Sequence, residues 1–190
     1  MRWPMFVLPT LLACASAAGA QATDRWPRPE IRPLLGVYIP EGAMRGAFEH
    51  APMLGAQAAL ELSRNLHVLG SGSWTYGRSR LPLPATRVNI WQYDVGVEVN
   101  HIRRVGEELY LRPFAGLGGG GRTYEFPSGS MPARTCTAGY AALGGELQVE
   151  RAALRVEARD YLTCFESPIT GQKRTRSDIG LTLGIAYHIR

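Results

Sequence analysis

Charged residues recur in this chain at even spacings inside otherwise apolar stretches: Arg155-x-Glu157-x-Arg159, Asp94-x-x-x-Glu98, and singly Glu61, Arg112 and Glu146. Even spacing puts side chains on one face of an extended strand, so these groups share a face with one another and not with the apolar residues between them. Lined up around a pore, they could pass protons or ions, as charged rings do in channels. Opposite signs interspersed at this density point instead to mutual pairing in a sealed polar core, because a buried charge has to be compensated.

Other constellations carry less. A serine nucleophile needs a base within hydrogen-bond reach, and the four histidines, His50, His67, His101 and His188, are scattered without such a pairing. Gly116-Leu117-Gly118-Gly119-Gly120-Gly121 formally satisfies a dinucleotide fingerprint. The following Arg122-Thr123-Tyr124-Glu125-Phe126-Pro127 cannot open the helix that the pyrophosphate requires, so the run reads as a flexible strand end. No spacing of His, Cys, Asp or Glu calls for a metal, and no cofactor is expected.

The elements that position these groups belong to an exported chain. Arg2, the apolar Phe6–Ala13 and the small-residue site Ala18-Gly19-Ala20 read as a signal peptide over residues 1–20, too short for a membrane helix. Leu11-Leu12-Ala13-Cys14 loosely resembles a lipobox and offers an alternative, lipid-tethered processing. Either cut leaves Cys136 and Cys164 as a pair in an oxidising compartment, for which a disulfide is the expectation. The net charge of +5 rests on 21 basic residues, of which only Lys173 is a lysine. Genomic base composition explains that bias at its blandest; for an exported chain the counterpart is anionic lipopolysaccharide and not nucleic acid.

A Pro-rich lead-in over residues 21–33 reads as an extended periplasmic tether. Eight strand-like segments follow, within 34–40, 53–63, 66–76, 88–99, 109–117, 140–149, 154–159 and 179–189, each with large apolar residues on one face and polar or small ones on the other. Connections alternate short and long, as in outer-membrane barrels with short periplasmic turns and longer outer loops. Trp74, Tyr76, Trp91 and Tyr93 fall at the outer strand ends, where an interfacial girdle belongs. A soluble lipocalin-like barrel would reverse the polarity. Charges at mid-strand, and no aromatic set to fill a core on the opposite face, favour the membrane arrangement, since an eight-stranded lumen only just holds side chains.

Leu111-Arg112-Pro113-Phe114-Ala115-Gly116-Leu117-Gly118, Leu154-Arg155-Val156-Glu157-Ala158-Arg159-Asp160-Tyr161 and Ile179–Tyr187 resemble strands of the small outer-membrane β-barrels of OmpA and OmpX type. The resemblance implies an all-β, eight-stranded antiparallel up-and-down transmembrane barrel over residues 34–190, preceded by a cleaved signal peptide. It also implies location in the outer membrane of a Gram-negative bacterium and handling by the barrel assembly machinery, which in that family reads a terminal aromatic; this chain ends Tyr187-His188-Ile189-Arg190. Some such barrels act on lipid A through a His-x-Ser pair on the penultimate strand, where this chain has Arg155, Glu157, Arg159 and Tyr161.

The sequence therefore predicts a monomeric, non-enzymatic barrel with a structural or cell-surface interaction role; a narrow channel and a lipid A-modifying enzyme are the alternatives. Its lumen network is expected to comprise Glu61, Asp94, Glu98, Arg112, Glu146, Arg155, Glu157 and Arg159. Arg78, Arg80, Lys173, Arg174 and Arg176, in basic outer connections, are expected to meet lipopolysaccharide phosphate, for which Arg forks are suited; a merely solvated loop surface is the competing account.

Overall fold

The computed structural model describes residues 29–80, 87–127, 132–149, 152–166 and 173–187. The signal peptide, Cys14, the first part of the lead-in and His188 lie outside them. Eight long strands are present: β1 (Pro29–Pro40), β2 (Ala51–Ser63), β3 (Leu66–Arg78), β4 (Arg87–Asn100), β6 (Leu109–Glu125), β7 (Arg134–Val149), β8 (Ala152–Glu166) and β9 (Lys173–Tyr187). A two-residue β5 (Arg103–Arg104) adds to the lower end of β6. Every pairing is antiparallel, and β1 with β9 and β4 with β6 close the sheet on itself.

Register can be followed around the wall. Starting at Glu30, successive partners are Ala59, Leu69, Gly96, Gly118, Tyr140, Tyr161 and Asp178, and the circuit returns to β1 at Pro40, ten residues beyond its start. That stagger across eight strands corresponds to a tilt of about 40°. The path stays on inward-facing positions throughout, because pairing conserves the face.

The two faces divide by polarity. Leu143, Leu117 and Ile185 point outward at 67%, 64% and 60% exposure, whereas Arg32 and Glu146 point inward at 0%. In water such an arrangement would expose the greasy side; in lipid it hides every strand's backbone polar groups in one closed ladder. The outward positions of β2, β4, β8 and β9 are mostly Leu, Val, Ile and Ala, with Trp91 and Tyr93 toward the outer end of β4.

Strands differ from the sequence expectation at their ends. β1 begins at Pro29, so Glu30 and Arg32 belong to the wall and not to a tether. Two prolines fit there because below Leu34 the edge of β1 facing β9 has no ladder partner to lose a hydrogen bond. β6 and β7 run through residues 119–125 and 134–136, which the pattern assigned to a loop. The glycine run Gly118–Gly121 had erased the alternation that marks a strand. β8 and β9 likewise reach Glu166 and Lys173, leaving a shorter top connection.

Candidate functional site

The inward face of β8 carries Arg155, Glu157, Arg159 and Tyr161 in a vertical row, and β4 carries Gln92, Asp94 and Glu98 in another. Period-two spacing builds each row locally; closure then sets one against the other. Arg155 bonds Glu98 across the lumen and Glu157 on its own strand at 2.8 Å. Arg159 bonds Glu157 from above, donates to Ser71 Oγ at 2.7 Å and lies 3.4 Å from Asp94. Tyr161 donates to Asp94 at 3.1 Å. Gln92 joins Asp94 to Arg122, which pairs with Asp178 at the top. At the bottom, His67 Nδ1 lies 3.7 Å from Glu98 and 2.8 Å from the Asn100 amide nitrogen.

An unbroken polar chain therefore runs the height of the barrel: His67, Glu98, Arg155, Glu157, Arg159, Asp94, Gln92, Arg122, Asp178. A second branch at the lower end centres on Glu146, fully buried, with Arg112 at 3.3 Å, Arg32 at 3.4 Å and Arg155 at 3.9 Å. Arg32 also grips Glu30 with two bonds of 2.7 Å and donates to Gln57 at 3.1 Å. Aromatic faces complete the solvation of the guanidinium groups. Phe114 lies 3.5 Å from Arg155, Tyr140 lies 4.6 Å from Arg159, and Tyr161 and Tyr38 lie 4.7 and 5.6 Å from Arg122. Cation–π contacts of this kind are strongest where water is excluded.

Among the described residues, Arg32, Arg112, Arg122, Arg155 and Arg159 thus face Glu30, Asp94, Glu98, Glu146, Glu157 and Asp178, a nearly neutral set that can be buried without stranding a charge.

The outer mouth is closed by a different device. After β1 the chain makes a 3-10 turn at Gly42–Met44, entered with Gly42 at φ 47°, and folds inward across the opening. Met44, Ala47 and Phe48 bury against Tyr38, Val88, Ile90, Tyr124 and Phe126, with Phe48 stacked on Tyr124 at 5.6 Å. An Ala47 carbonyl accepting from the Arg80 backbone N–H and a bridge from Phe48 to Ser79 pin it to the end of β3. The polar chain is capped by an apolar stopper.

Of the expected lumen residues, Asp94, Glu98, Arg112, Glu146, Arg155, Glu157 and Arg159 lie together in this network, Arg112 at its 14% exposed lower margin. Glu61 does not. It has the inward parity, opposite His67, but it sits beside a bulge at the Arg64-Asn65 turn and is exposed where the barrel opens to water. Reading the sequence missed Glu30 and Arg32, hidden among prolines, and Arg122, hidden after glycines. It also missed His67 and Asp178. Extending the even parity of Leu34 back to Arg32, or that of Phe114 up to Arg122, would have found both arginines.

The expected disulfide is not made. Ala138 pairs with Thr163 on the inward face, so Cys136, two residues from Ala138, shares that face, while Cys164, one residue past Thr163, points outward. No bond joins the two sulfurs. The expected phosphate set is also dispersed. Arg78 is exposed on the outer surface of β3. Arg80 lies 3.7 Å from Glu49 and donates to the Arg45 carbonyl, bracing the stopper. Arg176 has inward parity, and its guanidinium lies 3.5 Å from Met44 Sδ. The side chains of Lys173 and Arg174 lie outside the described residues.

No catalytic pairing emerges among the described residues. His67 and Ser71 share a strand and a face but stand four residues apart, about 13 Å, and His50 and His101 are exposed. A small cavity beside Arg159, lined by Ser71, Ser73, Tyr161 and Thr182, has room for about one water and not for an acyl chain.

By sequence the chain matches no family profile and no curated protein. Solved structures do match. Neisserial surface protein A, at 10% identity, superposes with a TM-score of 0.58 over 85% of this chain and 97% of that one. The N-terminal β-barrel domain of OprF from Pseudomonas aeruginosa has 13% identity, covers 86% of this chain and 100% of its own, and gives a TM-score of 0.47. The attachment invasion locus protein Ail of Yersinia pestis has 12% identity, 86% and 99% coverage, and the same TM-score of 0.47. At these identities the likeness is one of fold: the chain has the fold of the small eight-stranded outer-membrane β-barrels, the OmpA/OmpX type.

Proposed function

We propose that this protein is a sealed, non-enzymatic barrel of the Gram-negative outer membrane, a monomer that presents its rim and outer connections at the cell surface. The observation that carries this reading is the uninterrupted polar chain from His67 to Asp178 beneath an apolar stopper. A conducting lumen needs binding sites that let ions leave again; arginines and carboxylates locked to one another offer none. The absence of a nucleophile–base pair among the described residues weighs against the lipid A-modifying alternative. Its partners on this reading are outer-membrane lipid and lipopolysaccharide, and the barrel assembly machinery during biogenesis. Single-protein insertion into a planar bilayer tests the central point. Insertion without unitary conductance steps is expected, and reproducible steps of uniform size would replace the scaffold with a channel.

A further inference from the structure

We propose that Arg78 and Arg87 together hold the phosphate of an outer-leaflet anionic lipid, a site that rests on the membrane reading above. The two residues are direct partners on the last rung of the β3–β4 ladder, and both are exposed on the outward face. Like charges directly opposite on a ladder repel, and among the described residues no carboxylate lies within ion-pair distance of either. Glu125, on the neighbouring strand, accepts instead from Trp91 Nε1 at 3.3 Å, which draws it down and away.

Below the pair stands the aromatic girdle. Trp74 faces Trp91 at 6.1 Å, Trp74 Nε1 donates to Asn89 at 3.3 Å, and the Arg87 guanidinium rests 5.9 Å above the Tyr76 ring. Four residues separate Trp74 from Arg78 and Trp91 from Arg87, which at about 40° of tilt is roughly 10 Å along the barrel axis. The headgroup zone is roughly 5–8 Å thick on each side. With the indole rings at the base of that zone the backbone of Arg78 and Arg87 stands just beyond its outer limit, and a side chain reaching back down, as that of Arg87 does over Tyr76, brings its guanidinium to the phosphate level, with the Trp74–Trp91–Tyr93 surface beneath for the acyl chains. Two forks converging on one dianionic or monoanionic phosphate remove the repulsion that the ladder imposes.

Tryptophan quenching tests this. The full chain carrying Trp3→Phe and Trp26→Phe, so that Trp74 and Trp91 report, is reconstituted in phosphatidylcholine containing a minority of phosphatidylglycerol, with brominated chains on one lipid at a time. About tenfold enrichment of the anionic lipid at the tryptophans over its bulk share is expected at low salt. Arg78→Gln with Arg87→Gln should abolish the enrichment, and so should Arg78→Glu, which supplies a partner for Arg87 and relieves the repulsion. Replacing the exposed Arg64 and Arg103, at the opposite end of the barrel, by Gln should leave it intact. Equal quenching by both brominated lipids, or enrichment that survives either variant, overturns the site. Loss of the preference on adding inorganic phosphate alone, at constant ionic strength, overturns the lipid source in favour of a soluble anion. Quenching by neither lipid would overturn the membrane reading itself.

Discussion

Glu157 is fully buried and shared by Arg155 below and Arg159 above, so its removal takes one carboxylate from two guanidinium groups at once and leaves Arg155 to Glu98 and Arg159 to Asp94. Breaking a buried pair by deleting one partner costs about 3–5 kcal/mol where the other charge is left without compensation, and these remaining partners put the cost at the lower end of that range. Glu157→Leu should therefore lower the temperature at which the folded, fast-migrating band converts to the unfolded one on a heat-modifiability gel. Glu61→Leu, with the same parity but an exposed position at the turn, should change stability by no more than about 0.5 kcal/mol. Equal midpoints for the two variants would refute the network as a source of stability. The comparison matters because the two glutamates look alike in sequence, both on the polar face of an alternating strand.

At the scale of elements, the stopper is the part that alternation does not describe. Residues 41–50 have no period, yet Met44 and Phe48 are among the most buried side chains, held by hydrophobic burial, the Phe48–Tyr124 stack and backbone bonds to the end of β3. Truncating a buried Phe typically costs about 3–5 kcal/mol. Because that loss falls on a connection and not on the closed ladder, Phe48→Ala should open the stopper locally. Limited proteolysis is expected to cut within 41–50 at least tenfold faster than in the parent, while the heat-modifiability midpoint moves little. A collapse of the midpoint would show instead that the stopper and the wall form one cooperative unit.

The whole molecule depends on closure, and closure depends on how near β4, β6 and β7 approach. Tyr140 lies along the inner wall over Gly118 and Gly96 of the next two strands, and a Cβ at Gly118 would lie 2.4 Å from its ring and 2.6 Å from the Val95 carbonyl oxygen. Neither a packed ring nor a ladder backbone can give that much. Gly118→Val should therefore impair the β4–β6 seam and the Arg159–Tyr140 contact together, seen as a loss of the fast-migrating band during refolding into detergent. Gly145→Val is the control, since a Cβ there meets nothing within 4 Å. If both refold alike, Tyr140 does not set the barrel's internal width.

Local chemistry determined much of this protein before any contact was known. Alternation depends only on the two-residue period of an extended chain, so Leu181, Leu183 and Ile185 declare an outward face, and Arg155, Glu157 and Arg159 an inward one, wherever the strand is placed. The same argument failed where side chains were missing or constrained, at Gly118–Gly121 and at Pro29 and Pro33, and there it lost Arg122, Glu30 and Arg32. Which arginine meets which carboxylate was beyond it altogether. Arg155 and Glu98 are 57 residues apart and meet only because eight strands close with a ten-residue stagger. The same closure fills the lumen that separate strands would have left to water. Face is a property of neighbours along the chain; pairing across a lumen is a property of the closed ladder, and only the tertiary structure decides it.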